Sequence, residues 1–273
     1  MFLYNGQFIP EQELCLPITN RAFQYGDGFF ETVMVVNGRL RFWSDHLVRM
    51  QEAAHALHLE LPAYFCEPAF EQQLLQLADE NSGLAYGRLK LKAWRAGAGL
   101  YTPETNLIDW LATVQPATPL HPDSISIGVC QNIRTICSPF SHFKGPNALV
   151  YTLAGLEKKQ TGYDDMLLLN SQGIVSELIS SNLFWMMDNK LFTPALDTGC
   201  VNGIVRRNIL RWCRKNHMKV HEAYFSPQRL HDAHTVFAAN VTGIKSIESI
   251  NYVALQQDEA FLHQLNRDLF SEV

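Results

Sequence analysis

The chain has 273 residues, of which 47% are hydrophobic and 18% charged, the balance of a globular protein and not of a disordered or fibrous one. Its formal charge of −5 excludes a general nucleic-acid binder, which needs a dominant basic face, but leaves room for a local arginine pocket holding a small anion. No stretch approaches the roughly 20 apolar residues of a membrane span, so no membrane partner is expected.

In chain order, Met1–Phe8 alternates as a strand running into an Asn5-Gly6 turn. Phe29–Val36 and Arg39–Trp43 flank Asn37-Gly38 and read as a hairpin. Asp45 is placed to cap a helix from His46, with Leu47, Met50, Ala54 and Leu57 at helical spacing. A second helix covers about Glu67–Asn81. Strands at Arg88–Trp94 and Ile108–Val114 flank the glycine-rich Arg95–Tyr101 loop. Pro116, Pro119 and Pro122 then fall within a few residues of one another, a spacing that suits neither a helix nor a central strand. The expected organisation is therefore an N-terminal α+β domain over 1–115, a proline-rich linker at 116–122 and a C-terminal α+β domain over 123–273. That second domain is expected to hold a strand at Ser124–Gln131, a helix at about Asn147–Gln160, and a hairpin of Met166–Asn170 and Ile174–Ser180 around Ser171-Gln172-Gly173. Strands at Asn182–Met187 and Leu191–Pro194, a helix at about Gly203–Asn216, a strand at Thr235–Ala239 and a helix at about Asp258–Phe270 follow.

Cysteines stand at 15, 66, 130, 137, 200 and 213 without a CxxC pair or zinc-ligand spacing to histidine, so no metal is expected. Free thiols, together with an opening MFLYNGQFIP that lacks an export pattern, point to a reducing cytoplasm.

Four places invite chemistry. Lys144, in a short apolar-flanked loop, is either a solvated lysine or a partly desolvated amine available for Schiff-base formation. Glu177 lies in a strand of small and apolar residues. It either faces solvent on an edge or meets a buried cation, such as a protonated pyridine nitrogen. Val201-Asn-Gly-Ile-Val-Arg206 is a mere turn or a helix start whose free N–H groups take an anion, with Gly203 permitting close approach. Arg49 is a surface residue or a phosphate fork.

Taken in order, these segments resemble the class IV (fold type IV) pyridoxal 5'-phosphate (PLP) enzymes: aminodeoxychorismate lyases, D-amino-acid aminotransferases and branched-chain aminotransferases. The resemblance runs from Met1 to about Ile250 through Asn20–Thr32, His46–Arg49, Phe143–Asn147, Gly162–Asp165 with Leu167–Asn170, Glu177 with Ser181–Phe184, Thr193-Pro194 and Gly203–Arg206. It implies a two-domain α+β fold like that of D-amino-acid aminotransferase, PLP as cofactor, a homodimer with the cofactor in a cleft between domains, and a small amine-bearing, amino-acid-like substrate. It implies that Lys144 is the Schiff-base lysine and proton shuttle, that Glu177 holds the pyridine nitrogen, and that Arg49 contacts the phosphate. Backbone amides of Ile204 and Val205 beside Gly203, with Asn240 or its rival Thr242, would complete the phosphate cup. Relatives often carry threonine where Val205 stands, so a hydroxyl contact is missing there. Arg95 either grips a substrate carboxylate or orders its loop, Phe30 lines the pocket, and Arg21 is structural.

Within the family, the Met-Phe-Leu-Tyr-Asn-Gly start, Asn182-Leu-Phe-Trp185 and Val201-Asn-Gly-Ile204 look like the lyases, and the Asn-Tyr pair of branched-chain enzymes is absent after Lys144. The expectation is a 4-amino-4-deoxychorismate lyase forming 4-aminobenzoate and pyruvate. The alternatives are a branched-chain or D-amino-acid aminotransferase and, behind both, a PLP-binding relative without activity.

Overall fold

The computed structural model describes residues 1–119, 124–146 and 148–271. Asn147 of the lysine motif, and residues 120–122 of the proline-rich stretch with its boundary at 123, lie outside the described residues. The chain forms two compact units, one from residues 1–119 with 143–146, the other from residues 124–142 and 148–271.

The first unit is built on a six-stranded sheet. Its strands are β1 (Phe2–Tyr4), β2 (Gln7–Ile9), β3 (Gly28–Val36), β4 (Arg39–Leu40), β5 (Tyr86–Arg95) and β6 (Ile108–Pro116), in the order β2-β1-β6-β5-β3-β4. The Asn-Gly pairs do what their chemistry suggests: Asn37 and Gly38 both take positive φ, 49° and 74°, closing the tight turn between β3 and β4. Three helices, α1 (Arg21–Tyr25), α2 (Trp43–Leu57) and α3 (Pro68–Glu80), accompany the sheet. The expected hairpin strand to Trp43 stops at Leu40, and α2 starts earlier than His46. Phe42 turns the chain in the left-handed region (φ 56°), and the N–H of His46 donates to its carbonyl at 3.1 Å. Trp43 is thereby carried into the core against Phe70, ring centroids 6.1 Å apart, so burial of a large ring outweighs its strand propensity. Asp45 sits in the first helical turn instead of capping it. The rest of this core is strongly aromatic. Phe65 and Phe70 stack at 4.4 Å, each edge-on to Trp110, whose indole N–H donates to Tyr64 at 2.8 Å.

The second unit is a nine-stranded mixed sheet among the described residues. It comprises β7 (Ile125–Thr135), β8 (Asp165–Asn170), β9 (Val175–Leu178), β10 (Asn182–Met187), β11 (Lys190–Pro194), β12 (Val220–Ala223), β13 (Thr235–Asn240), β14 (Gly243–Ile250) and β15 (Val253–Ala254). The path is β12-β11-β10-β13-β14-β7-β8-β9, with β15 on β14. Strands β7 and β8 run parallel, a pairing that requires a crossover. Helix α4 (Leu149–Thr161) supplies it and packs on both strands. Helix α5 (Ile204–Lys215) buries Ile204, Val205, Ile209, Leu210, Trp212 and Cys213. It meets α6 (Glu259–Phe270), where the Trp212 indole donates to Asp268 at 3.0 Å. Strands β12, β14 and β15 carry no clear period in the sequence and are defined by their pairing partners. No helix among the described residues is long and apolar enough to cross a membrane.

Candidate active site

In the first unit the site begins on β3. Glu31 is buried there (1% exposed), and α2 brings two cation-forming side chains to it because His46 and Arg49 lie three residues apart on one helical face. Arg49 donates from Nε to Glu31 Oε1 at 2.8 Å and from an Nη to Oε2 at 2.5 Å, and His46 Nδ1 lies 2.6 Å from Oε2. Burial by itself would raise the Glu31 carboxyl, but Arg49 and then His46 hold it at about 2. Burial keeps His46 below its usual value despite Glu31, so the neutral ring donates from Nδ1. Its other nitrogen is buried and makes no hydrogen bond.

The Glu31 carboxylate therefore stabilises the fold above its ordinary 4.5, and that stability is lost as pH falls from 4.5 towards 2. Glu31→Gln should lower the unfolding free energy at pH 7 by about 3 kcal/mol, because it leaves a buried arginine without its counter-charge. Urea melts of both proteins at pH 7 and pH 4 test this: the gap should narrow at the lower pH, and equal midpoints at pH 7 would show that the ion pair contributes nothing.

At the far end of β3 and β5, two arginines share one carboxylate. Arg95 donates from Nε to Asp27 at 3.0 Å, and its remaining donors reach Asn106 Oδ1 (2.6 Å) and the carbonyls of Leu57 (2.6 Å) and His58 (3.3 Å) at the end of α2. Arg21 donates to the same Asp27 oxygen at 2.8 Å and to the carbonyls of Ala98, Gly99 and Leu100. Of the two readings open for Arg95, this geometry favours the ordering of loop and helix end, since four of its donor directions are used within the protein. Arg21 clamps the glycine-rich loop directly.

Lys144 is half-buried in the short segment 143–146, whose Phe143 side chain joins the first unit's core. The backbone N–H of Phe30 donates to the Lys144 carbonyl at 2.8 Å, and Nζ lies 5.9 Å from the centre of the Phe30 ring. Phe30 thus fixes the lysine through its main chain and offers it a π face, while Lys90 stands 4.6 Å from the same ring.

In the second unit Glu177 is 3% exposed on β9. Its Oε1 accepts from the Tyr151 hydroxyl at 2.7 Å and its Oε2 from the Val201 N–H at 3.0 Å. Its burial removes the solvent-facing reading. Tyr151, in the first turn of α4, was not singled out from the sequence. The available signal was its place at helical spacing after the lysine motif, which means little until β9 is known to lie beneath it. Gly203 caps α5, and Ile204 and Val205 supply the first amides of a helix with no acidic residue in its first turn. Asn240, at the end of β13, accepts at Oδ1 from the Thr242 N–H (2.8 Å) and hydroxyl (2.5 Å), and donates to Ser180 O and Ser181 Oγ. The two rivals are thus one hydrogen-bonded turn.

A Cβ on Gly203 would stand 2.1 Å from Asn182 Oδ1, while Asn182 Nδ2 donates to the Val201 carbonyl at 2.8 Å. Gly203→Ala should therefore break that bond and displace the start of α5. The expected cost is about 1–3 kcal/mol, with an anion bound several-fold more weakly. A thermal melt and a phosphate or cofactor titration check both parts; an unchanged variant would show that Asn182 yields without cost.

This donor set fits PLP. Glu177 is a buried carboxylate that accepts from the Tyr151 hydroxyl and the Val201 N–H, the chemistry a protonated ring nitrogen needs, while α5 opens with amides and no acidic residue in its first turn, suited to a phosphate.

The comparisons agree with the class that this fold and site define. The family described as "Amino-transferase class IV" matches residues 28–250, and the chain belongs to it. Its members are PLP-dependent enzymes of aminotransferase and lyase type. The chain is 29% identical over 257 residues to an aminodeoxychorismate lyase of Vibrio harveyi, covering 92% of each. It is 27% identical over 247 residues to a D-alanine aminotransferase of Bacillus licheniformis, covering 88% of this chain and 84% of the relative. The fold is that of the branched-chain amino acid aminotransferase of Escherichia coli, with a TM-score of 0.87 at 19% identity over 99% of this chain and 93% of that one.

Proposed function

We propose that the protein is a PLP-dependent 4-amino-4-deoxychorismate lyase, releasing 4-aminobenzoate and pyruvate. The observation that carries this reading is the similarity to a lyase over 92% of both chains, joined to the lyase-like segments Asn182–Trp185 and Val201–Ile204 at the site itself. PLP, when bound, supplies an aldehyde for the substrate amine and a ring that takes up the electrons left when a C–H bond breaks. Lys144 Nζ would hold the cofactor and would move the proton at the carbon bearing the substrate nitrogen. Glu177 keeps a proton on the ring nitrogen. The first amides of α5, at Ile204 and Val205 beside Gly203, and the Asn240–Thr242 turn receive the phosphate. Arg49, oriented by Glu31, is assigned to the same phosphate. Phe30 lines the pocket. Arg95 is assigned to holding the loop, and the substrate carboxylates to other donors.

The same reading makes the protein a cytoplasmic homodimer; sedimentation in the analytical ultracentrifuge tests the dimer. The second reading is an aminotransferase, favoured by the 27% identity to a D-alanine aminotransferase. Both demand the same lysine and carboxylate, so only products separate them. Incubated with aminodeoxychorismate, the holoenzyme should release 4-aminobenzoate and pyruvate in equal amounts. Amino-group transfer from D- or branched-chain amino acids to 2-oxoglutarate, with no 4-aminobenzoate formed, would replace the lyase reading.

A further inference from the structure

We propose that Tyr151 is a positioning residue whose hydroxyl sets the orientation and the charge of Glu177, and through it the protonation of the cofactor's ring nitrogen. The inference rests on the assignment of Glu177 made above. Three separate elements converge on this one carboxylate: β9 carries it, the first turn of α4 brings the Tyr151 hydroxyl to Oε1 at 2.7 Å, and the strand-to-helix segment before α5 brings the Val201 N–H to Oε2 at 3.0 Å. With the Tyr151 hydroxyl on one oxygen and the Val201 N–H on the other, the carboxylate cannot rotate without losing both bonds.

The chemistry of the donors matters as much as their number. Hydrogen bonds from neutral donors favour the ionised carboxylate without cancelling its charge, whereas a lysine or arginine there would neutralise the anion a pyridinium needs. Burial, and then the charge of Glu177, push the Tyr151 hydroxyl far above its ordinary value, so it donates throughout the working pH range. The neighbouring Cys200 thiol is pushed up to about 12 by burial and then by Glu177, and so stays neutral as well. Within the Glu177–ring nitrogen hydrogen bond the proton goes to the more basic partner. Removing the tyrosine hydroxyl makes Glu177 the more avid, draws the proton off the ring and weakens the electron sink, by roughly tenfold for one charge-assisted bond.

The test uses holoenzyme carrying PLP labelled with 15N at the ring nitrogen, whose NMR shift reads protonation directly. Glu177→Gln should move the signal to the unprotonated position. Tyr151→Phe should move it part of the way, with kcat down roughly tenfold, KM within about twofold, and a larger deuterium isotope effect on the substrate C–H. Replacing Tyr151 by 4-aminophenylalanine, which keeps the ring shape and a weaker N–H donor, should give a smaller shift in the same direction, and serves if the phenylalanine protein does not fold. A merely structural tyrosine would lower the melting temperature and leave the 15N signal where it was. A signal unmoved by both Tyr151 replacements but moved by Glu177→Gln overturns the proposal. A signal unmoved by Glu177→Gln overturns instead the assignment on which it rests.

Discussion

Lys144→Ala should abolish turnover, by roughly 10⁴-fold or more, because one amine both carries the cofactor and moves the substrate proton. The protein should still fold. The lysine's main-chain carbonyl, not its side chain, makes the bond to Phe30, and it is Phe143 that enters the core. Added cofactor should remain bound through its phosphate but lose the visible band of the lysine-linked form. Spectra and initial rates decide the matter together. A variant that keeps both the band and the rate would remove Lys144 from the mechanism, and a variant that keeps the band alone would place the link on a different amine.

Glu177→Gln should leave cofactor affinity within a few-fold of the wild type and lower kcat by roughly 10²–10³, the size of effect seen when one preorganised electrostatic partner is removed from a reacting centre. The amide preserves the shape of the carboxylate, and its oxygen can still accept one of the two bonds now made by Tyr151 and Val201. What it cannot do is favour a positively charged ring nitrogen. The loss should therefore appear in the step that breaks the substrate C–H bond, as a larger isotope effect with little change in KM. An unchanged kcat would mean that the ring nitrogen faces a different group.

The two losses differ in kind, so the double variant should be no slower than Lys144→Ala alone. A carboxylate that tunes an electron sink has nothing to act on once the proton-moving amine is gone.

Much of the molecule is legible from local pattern. The Asn37-Gly38 turn between strand-forming runs, the helical spacing of Met50, Ala54 and Leu57, and the glycine at the head of α5 each follow from a few adjacent residues, and each appears in the structure near its expected place. The ordered set of short motifs also identified the family, because their sequence along the chain is far more specific than any one of them. Boundaries drifted where a large side chain had a better use. Trp43 left its strand for the core, and β7 and β6 ran on past their expected ends because partner strands were there to pair with them.

What the amino-acid sequence by itself determined, then, is the kind of element at most positions, the family, and a set of candidate residues for chemistry. Only the tertiary structure decided which of those residues meet. That Arg49 is turned side-on to Glu31, that Arg95 is consumed by Asp27, Asn106 and the end of α2, and that Tyr151 sits on Glu177 are all contacts between residues 11 to 68 positions apart. The physical reason is that hydrophobic period and turn chemistry are local, acting over a few residues. The pairing of a buried charge is set by which elements pack together, and a charge taken out of water must accept whatever partner that packing delivers.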